Sequence, residues 1–154
     1  MCTFITDENI KIADKDIEVY KIVCVQKHKV YAPFRLIRYP NTLLRAHLGT
    51  PEYAGTLGSD HISSIDTGIH SFMDKVSADK CCSNTLWHVV KATIPKGSQY
   101  YLGYSDYYGP GLFVGHVYVS DQLRLHPDGV MKRKYFLPKA THKRKKHHTH
   151  IYKR

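Results

Sequence analysis

The chain of 154 residues has few of the features that mark several common classes of protein. No apolar run approaches the ~18–20 residues that a membrane-spanning helix needs, so we expect no membrane partner. Neither a Gly-x-Gly-x-x-Gly nor a Walker sequence occurs, which excludes the usual phosphate-binding loops. The four cysteines form no Cys-x-x-Cys and no paired Cys/His spacing, so neither a zinc site nor a disulfide scaffold is expected. We therefore predict no metal and no cofactor.

The N-terminal 16 residues do not read as a secretory signal. They carry acidic residues among apolar ones and lack a basic segment followed by an apolar one. This predicts reduced thiols in a cytoplasm. Cys24, which lies in an apolar run, is expected to be a core residue.

Acidic residues are absent from the last 24 positions, and this is the most informative feature of the sequence. Residues 1–130 hold 13 Lys/Arg and 13 Asp/Glu, so their net charge is zero, whereas residues 131–154 hold 10 Lys/Arg and no acid. A segment of this kind repels itself and has little apolar surface to bury. We predict a compact body at 1–130 and a polybasic, flexible tail at 131–154, in which Tyr135, Phe136 and Leu137 can dock on the body before Pro138.

Fixed cations in the tail predict sequence-tolerant binding of nucleic acid, because they displace counterions condensed on phosphate and no base-reading element accompanies them. An acidic protein surface or an assembly partner is an alternative, as is a tail that only adds solubility. The residues predicted to contact nucleic acid are Lys132, Arg133, Lys134, Lys139, Lys143, Arg144, Lys145, Lys146, Lys153 and Arg154.

The body reads as a strand-dominated α+β fold with a mostly antiparallel sheet and one or two short helices. Apolar, β-branched segments predict strands at residues 17–25, 69–72, 86–94, 100–102, 116–120 and 123–125, with a short return strand at Val30 and Tyr31. Residues 42–48 predict a short helix that ends at Gly49, and residues 73–78 predict another helical turn. Residues 49–68, rich in Gly and Ser, predict a loop.

Several short motifs in order resemble a family of small proteins from gut Bacteroidota and their phages, over roughly residues 1–125. They are Met1-Cys2-Thr3, Ala13-Asp14-Lys15-Asp16-Ile17, Val19-Tyr20-Lys21, Gly68-Ile69-His70-Ser71-Phe72, Ile94-Pro95-Lys96-Gly97-Ser98 with Tyr100-Tyr101 and Gly103, and Tyr118-Val119-Ser120-Asp121. The resemblance implies a phage or prophage setting, with the protein in the bacterial host cytoplasm or in the virion. It implies no activity.

The order of the same strands also resembles ADP-ribosyltransferase-like folds of the Arg-Ser-Glu type. This resemblance implies a nucleotide cleft near Lys21, His70, Ser71 and Asp121, which are the candidate catalytic residues. The sequence departs from the pattern, because Lys21 replaces the arginine, the Ser-Thr-Ser is missing, and no Glu follows Glu52. His70 and Ser71 cannot act as a base and nucleophile on each other, since adjacent residues of a strand point to opposite faces. A structural histidine is the alternative for His70.

A tyrosine-rich segment is the remaining candidate for contact with a ligand or partner. It contains Tyr100, Tyr101, Tyr104, Tyr107 and Tyr108. Tyrosines in such loops offer contact area at low entropic cost, or simply cover a sheet edge. Taken together, the sequence predicts a non-enzymatic, phage-type binding protein whose tail contacts nucleic acid or a nucleic-acid-rich assembly. The alternatives are an ADP-ribosyltransferase-like nucleotide-binding protein or diverged enzyme, and a structural virion subunit.

Overall fold

The computed structural model describes residues 3–33, 37–106 and 113–136. Within these ranges the chain forms eleven strands, one α-helix and one 3₁₀ turn. The strands are β1 (Thr3–Ile12), β2 (Ile17–Gln26), β3 (Lys29–Tyr31), β4 (Leu43–Arg45), β5 (Glu52–Leu57), β6 (Asp60–Ile65), β7 (Ile69–Phe72), β8 (Trp87–Ile94), β9 (Gln99–Asp106), β10 (Phe113–Ser120) and β11 (Gln122–Leu125). The helix α1 spans Lys75–Cys81, and the 3₁₀ turn spans Arg133–Tyr135.

The strands form one sheet in the order β4-β11-β8-β2-β7-β10-β9-β1-β6-β5, with β3 paired to β2 beside this path. Each strand pairing in the described ranges is antiparallel. The prediction of a strand-dominated, mostly antiparallel sheet is therefore confirmed. Among the described residues, no helix has the length and apolar character required to cross a bilayer.

The strongest apolar segments of the sequence form the centre of the sheet. β2 and β8 pair along eight positions, from Ile17 opposite Ile94 to Cys24 opposite Trp87. Both strands are rich in β-branched residues, which pack well on a pleated surface. Cys24 is 2% exposed, which confirms that it is a core residue.

The predicted helix at residues 42–48 is wrong. Leu43–Arg45 forms strand β4, which pairs with β11 so that Leu44 lies opposite Leu123. Short apolar runs do not distinguish a helix from a strand by their periodicity. Here the open edge of β11 and the burial of Leu44 in the core decide in favour of the strand.

The predicted loop at residues 49–68 is also wrong over most of its length. Glu52–Leu57 and Asp60–Ile65 form the hairpin β5–β6, joined by the two residues Gly58 and Ser59. Gly58 has φ of +63°, the left-handed conformation that tight hairpin turns require. The small and polar residues that suggested a loop occupy an outer hairpin, where few apolar contacts are needed.

The helix α1 follows the short strand β7 and covers one face of the sheet. Asp74 begins it, because the Asp74 carboxylate accepts a hydrogen bond from the Ser77 backbone N–H at 2.8 Å. Ala78 and Cys81 pack against Ile22, Phe72 and Val117. A helical turn was predicted at residues 73–78, and the helix begins at Lys75 and extends to Cys81.

A larger apolar cluster, here called the main core, lies between the central strands and the C-terminal part of the body. It contains Val19, Val23, Val90, Ile94, Leu123, Leu125, Met131 and Phe136. Met131 is fully buried and Phe136 is 4% exposed. Phe136, one of the tail residues expected to dock on the body, therefore packs in the main core.

The sheet opens along one edge of β2. On that edge β7 pairs with β2 at Tyr20 opposite Phe72, and β3 pairs with β2 from Cys24 onward. Between these two contacts, Lys21, Ile22 and Val23 pair only with β8 among the described strands. β7 and β3 therefore diverge from β2 at this point, and a cleft forms between them.

Candidate functional site

The cleft beside β2 has a volume of about 670 Å³, within the range typical of small-ligand sites. Its walls come from β2, β4, β7, the segment 37–47 and the turn 66–68. The turn requires Gly68, because its φ is +142° and a Cβ there would lie 2.6 Å from Val119 Cγ1. This turn begins β7 and places His70 at the cleft.

Lys21 lies on β2 between Val19 and Val23 and is 6% exposed. Burial lowers the pKa of Lys21 to about 8. No carboxylate in the described ranges forms an ion pair with its Nζ. Lys21 is therefore a predominantly protonated, buried cation at pH 7 that has no charged partner in this part of the chain.

His70 lines the same cleft from β7 and is 8% exposed. Its Nε2 lies 3.3 Å from the carbonyl oxygen of Ile65 and can donate to it. Burial, followed by the charge of Lys21, lowers the pKa of His70 to about 4. At pH 7 the imidazole is therefore neutral, and its hydrogen bond to Ile65 gives it a structural role in the wall.

Ser71 and Asp121, the other two candidate catalytic residues, do not line the cleft. Ser71 is fully buried, and its Oγ has no hydrogen-bond partner among the described residues. The Asp121 carboxylate accepts a hydrogen bond from the Gln99 backbone N–H at 3.0 Å, and the Asp121 carbonyl accepts one from Ala46 N–H. The structure thus brings together Lys21 and His70 but not Ser71 or Asp121.

Two arginines at the cleft were not candidates in the sequence. Arg38 and Arg45 line it together with Lys21, and Asp66 is the acid among the described lining residues. Arg38 follows a proline-containing turn and Arg45 lies on the misassigned strand β4. No spacing in the sequence relates either residue to Lys21, because the three line one cleft only through the pairing of distant strands.

A second cationic feature lies where the polybasic tail leaves the body. Met131 and Phe136 are buried on either side of the 3₁₀ turn, whereas Lys132, Arg133 and Lys134 are exposed. The ring of Tyr135 stacks on His28 with centroids 5.3 Å apart and planes 6° apart. Arg38 Nη2 donates to the Tyr135 carbonyl oxygen at 3.5 Å. The base of the tail is therefore fixed against the β2–β3 turn.

The β2–β3 turn adds cations to this surface. Its two central residues, Lys27 and His28, have φ of 49° and 62°, as in a type I′ turn. Such turns favour Asn and Gly, and other residues are strained there. The six residues Lys27, His28, Lys29, Lys132, Arg133 and Lys134 are here called the basic platform. None of its Lys or Arg residues forms an ion pair within the described ranges.

The other residues predicted to contact nucleic acid are Lys139, Lys143, Arg144, Lys145, Lys146, Lys153 and Arg154, and they lie outside the described residues. The turn at 26–29 is a polar segment between two apolar segments in the sequence. Only its proximity to the tail could not be foreseen, because that depends on the stacking of His28 on Tyr135.

Three of the five candidate tyrosines belong to strand β9. Tyr100 contacts Tyr118 edge-on at 5.5 Å, Tyr101 is 6% exposed in a small apolar cluster, and Tyr104 lies 5.6 Å from Phe4. These contacts give the three residues packing roles within the sheet. Tyr107 and Tyr108 lie outside the described residues.

Other reactive side chains form no further site in the described part of the chain. No three His, Cys, Asp or Glu residues there converge so as to hold a metal ion. Burial raises the pKa values of the Cys81 and Cys82 thiols, which disfavours the reactive thiolate.

Comparison with family models, with curated proteins and with solved structures finds no match to this chain. The resemblances to phage proteins and to ADP-ribosyltransferase-like folds therefore stay predictions.

Proposed function

We propose that this protein binds nucleic acid without sequence preference, through the basic platform and the polybasic tail that continues from it. The observation that carries the proposal is the anchoring of the tail base. Buried Met131 and Phe136, together with the stacking of Tyr135 on His28, hold the base of the tail against the β2–β3 turn, which itself carries cations.

The charges of the platform are available to an external polyanion. Lys27, Lys132, Arg133 and Lys134 are exposed, and none forms an ion pair within the described ranges. Cations of this kind gain most of their binding free energy from the release of counterions condensed on phosphate. The strained turn at Lys27 and His28 supports a role beyond folding, because strain is retained at functional positions more often than elsewhere.

The arrangement also accounts for an absence of sequence preference. The described platform lies on the β2–β3 turn, the first residue of β3, and a single 3₁₀ turn with its N-terminal flanking residue, and it contains no α-helix that could enter a groove and read base edges. His28 and Tyr135 are already stacked on each other. The platform therefore contacts the sugar-phosphate backbone of the nucleic acid rather than its bases, and the tail adds seven further cations.

The test is the affinity of fluorescein-labelled single- and double-stranded DNA, measured by anisotropy at 50 to 200 mM salt. We expect replacement of Lys27, Lys132, Arg133 and Lys134 by Gln to weaken binding roughly 10- to 100-fold at 50 mM salt and to flatten the salt dependence. The matched control replaces four other exposed lysines, Lys15, Lys80, Lys91 and Lys96, by Gln and should change affinity less than about three-fold.

A polyglutamate competitor distinguishes nucleic acid from an acidic protein surface. If polyglutamate displaces DNA at equal charge concentration, the partner is an acidic surface in general and the proposal fails. It also fails if the control variant loses as much affinity as the platform variant.

A further inference from the structure

The cleft holds a buried cation whose presence the fold does not explain. Lys21 is 6% exposed, and its nearest neighbours along β2 on the same face, Val19 and Val23, belong to the main core. Burying an ammonium group without a partner costs stability, and a Met would fill the same space without that cost. A ligand anion in the cleft would supply the missing partner.

A second cationic side chain at the cleft also has unused hydrogen-bonding capacity. Arg38 donates to the Tyr135 carbonyl through Nη2, but its Nε is buried and has no partner among the described residues. Arg45 is an exposed third cation at the cleft, and Asp66 is the acid that opposes them among the described lining residues. The cleft therefore favours anions, and arginine together with lysine is the pair that proteins use for phosphate.

The apolar residues of the cleft determine which organic group the bound anion can carry. Ile37, Pro40 and Leu43 line the cleft with exposed or half-buried apolar side chains, and Tyr39 adds a half-buried phenol. Burial raises the pKa of Tyr39 to about 12, so it remains neutral and adds no negative charge. A volume of about 670 Å³ exceeds what a bare inorganic anion would fill.

We propose that the cleft binds a phosphate monoester that carries an apolar or aromatic group, with Lys21 and the nearby arginines on the phosphate and the apolar wall on the organic group. Arg38 contacts both the cleft and the base of the tail, but Lys21 and Arg45 lie outside the basic platform, so variants at these two residues test the cleft independently of the platform. The monoester can be a free small molecule or the 5′-phosphate at the end of a nucleic acid strand.

The test uses phenyl phosphate as the probe and the full chain, with affinity measured by isothermal titration calorimetry at pH 7. Phenol and inorganic phosphate serve as probes that each lack one half of the ligand. We expect phenyl phosphate to bind more tightly than either. Lys21→Met should weaken it roughly 10- to 100-fold, as expected for the loss of a charged hydrogen bond.

Two further variants keep this result interpretable. Lys91→Met removes the same charge from an exposed position on β8 outside the cleft and should leave the affinity within about two-fold of the wild-type value. Arg45→Gln changes an exposed residue of the cleft, so it should not impair folding. It should weaken the binding of phenyl phosphate by about three- to ten-fold.

Comparison of a 5′-phosphorylated with a 5′-hydroxyl oligonucleotide separates the two sources of the monoester. If the wild-type protein prefers the 5′-phosphorylated oligonucleotide and Lys21→Met does not, the cleft binds the ends of nucleic acid strands. If the wild-type protein shows no such preference but binds phenyl phosphate tightly, the cleft binds a small molecule. Equal affinity of phenyl phosphate for wild type, Lys21→Met and Arg45→Gln overturns the proposal, whatever the result for DNA.

Discussion

Lys21 and the lysines of the basic platform carry the same charged group in opposite surroundings. Lys21 is buried between strands, where a lone cation is costly and favours one well-placed anion. Lys132 and Lys134 are exposed, where a cation costs little, is screened by salt and contributes to binding mainly in numbers. The two proposals follow this difference: a single phosphate group in the cleft and a polymer along the platform.

Phe136→Ala should give the largest loss of stability, because it removes the buried anchor that joins the platform to the main core. A phenylalanine that is 4% exposed typically costs about 3–5 kcal/mol when truncated to alanine. Urea denaturation measures the change, and exposed Lys134→Ala is the control, with an expected change below about 0.5 kcal/mol. A loss below about 1 kcal/mol for Phe136→Ala would show that the tail base is not anchored.

Lys21→Met should stabilise the protein by about 3 kcal/mol at pH 7, because the folded state no longer holds a buried ammonium group. The folded pKa of about 8 lies below the ordinary value of 10.5, so the unfolded state binds more protons between these pH values. Wild-type stability therefore rises with pH from 8 to 10.5, and the advantage of Lys21→Met shrinks over the same range. Urea denaturation at pH 7, 9 and 10.5 checks this, and a constant advantage would contradict it.

His70 should make the protein less stable in acid. Its folded pKa of about 4 lies below the ordinary 6.5, so the unfolded state takes up a proton first as the pH falls, and stability is lost between pH 6.5 and 4. We expect this pH-dependent contribution to be about 3 kcal/mol, absent in His70→Gln and reduced in Lys21→Met, since the charge of Lys21 contributes to the lowered pKa of His70. Exposed His61→Gln is the control. If His70→Gln loses as much unfolding free energy between pH 6.5 and 4 as the wild type, the acid sensitivity arises from another residue.

Lys27→Asn should have the smallest effect, with opposite signs for stability and DNA binding. Asn tolerates the positive φ at this position better than Lys, which should raise the free energy of unfolding by about 0.5–1 kcal/mol. Loss of one cation of the basic platform should weaken DNA binding about two- to five-fold at 50 mM salt. Unfolding and anisotropy measurements on the same preparation test both, and a more stable variant with undiminished DNA affinity would separate the turn from the binding surface.

The sequence predicted the centre of the sheet but not its outer strands. β2 and β8 are long and rich in β-branched residues, so their hydrophobicity alone identifies them. β4 was mistaken for a helix because Leu43, Leu44 and Arg45 suit either element and only pairing with β11 decides. β5 and β6 were mistaken for a loop because an outer hairpin needs little apolar surface.

The two candidate sites differ in the same way. The tail cations follow directly from a count of charges along the chain, but their attachment beside Lys27 depends on a contact between His28 and Tyr135 that no local pattern encodes. At the cleft, Lys21 and His70 were candidates, whereas Arg38 and Arg45 were not. Arg45 reaches the cleft through the pairing of β4 with β11, and Arg38 lies where β7 and β3 diverge from β2, so both positions depend on the whole sheet.

The most direct test compares the salt dependence of two ligands on the full chain, a 5′-hydroxyl single-stranded oligonucleotide and phenyl phosphate, between 50 and 200 mM salt. If the exposed cations hold about six phosphates of the polymer, the affinity for the oligonucleotide should fall roughly 10²- to 10³-fold over this range. The affinity for phenyl phosphate should fall less than about four-fold, because it depends on a single buried contact that salt screens little. An oligonucleotide affinity that stays flat over this range would contradict the account.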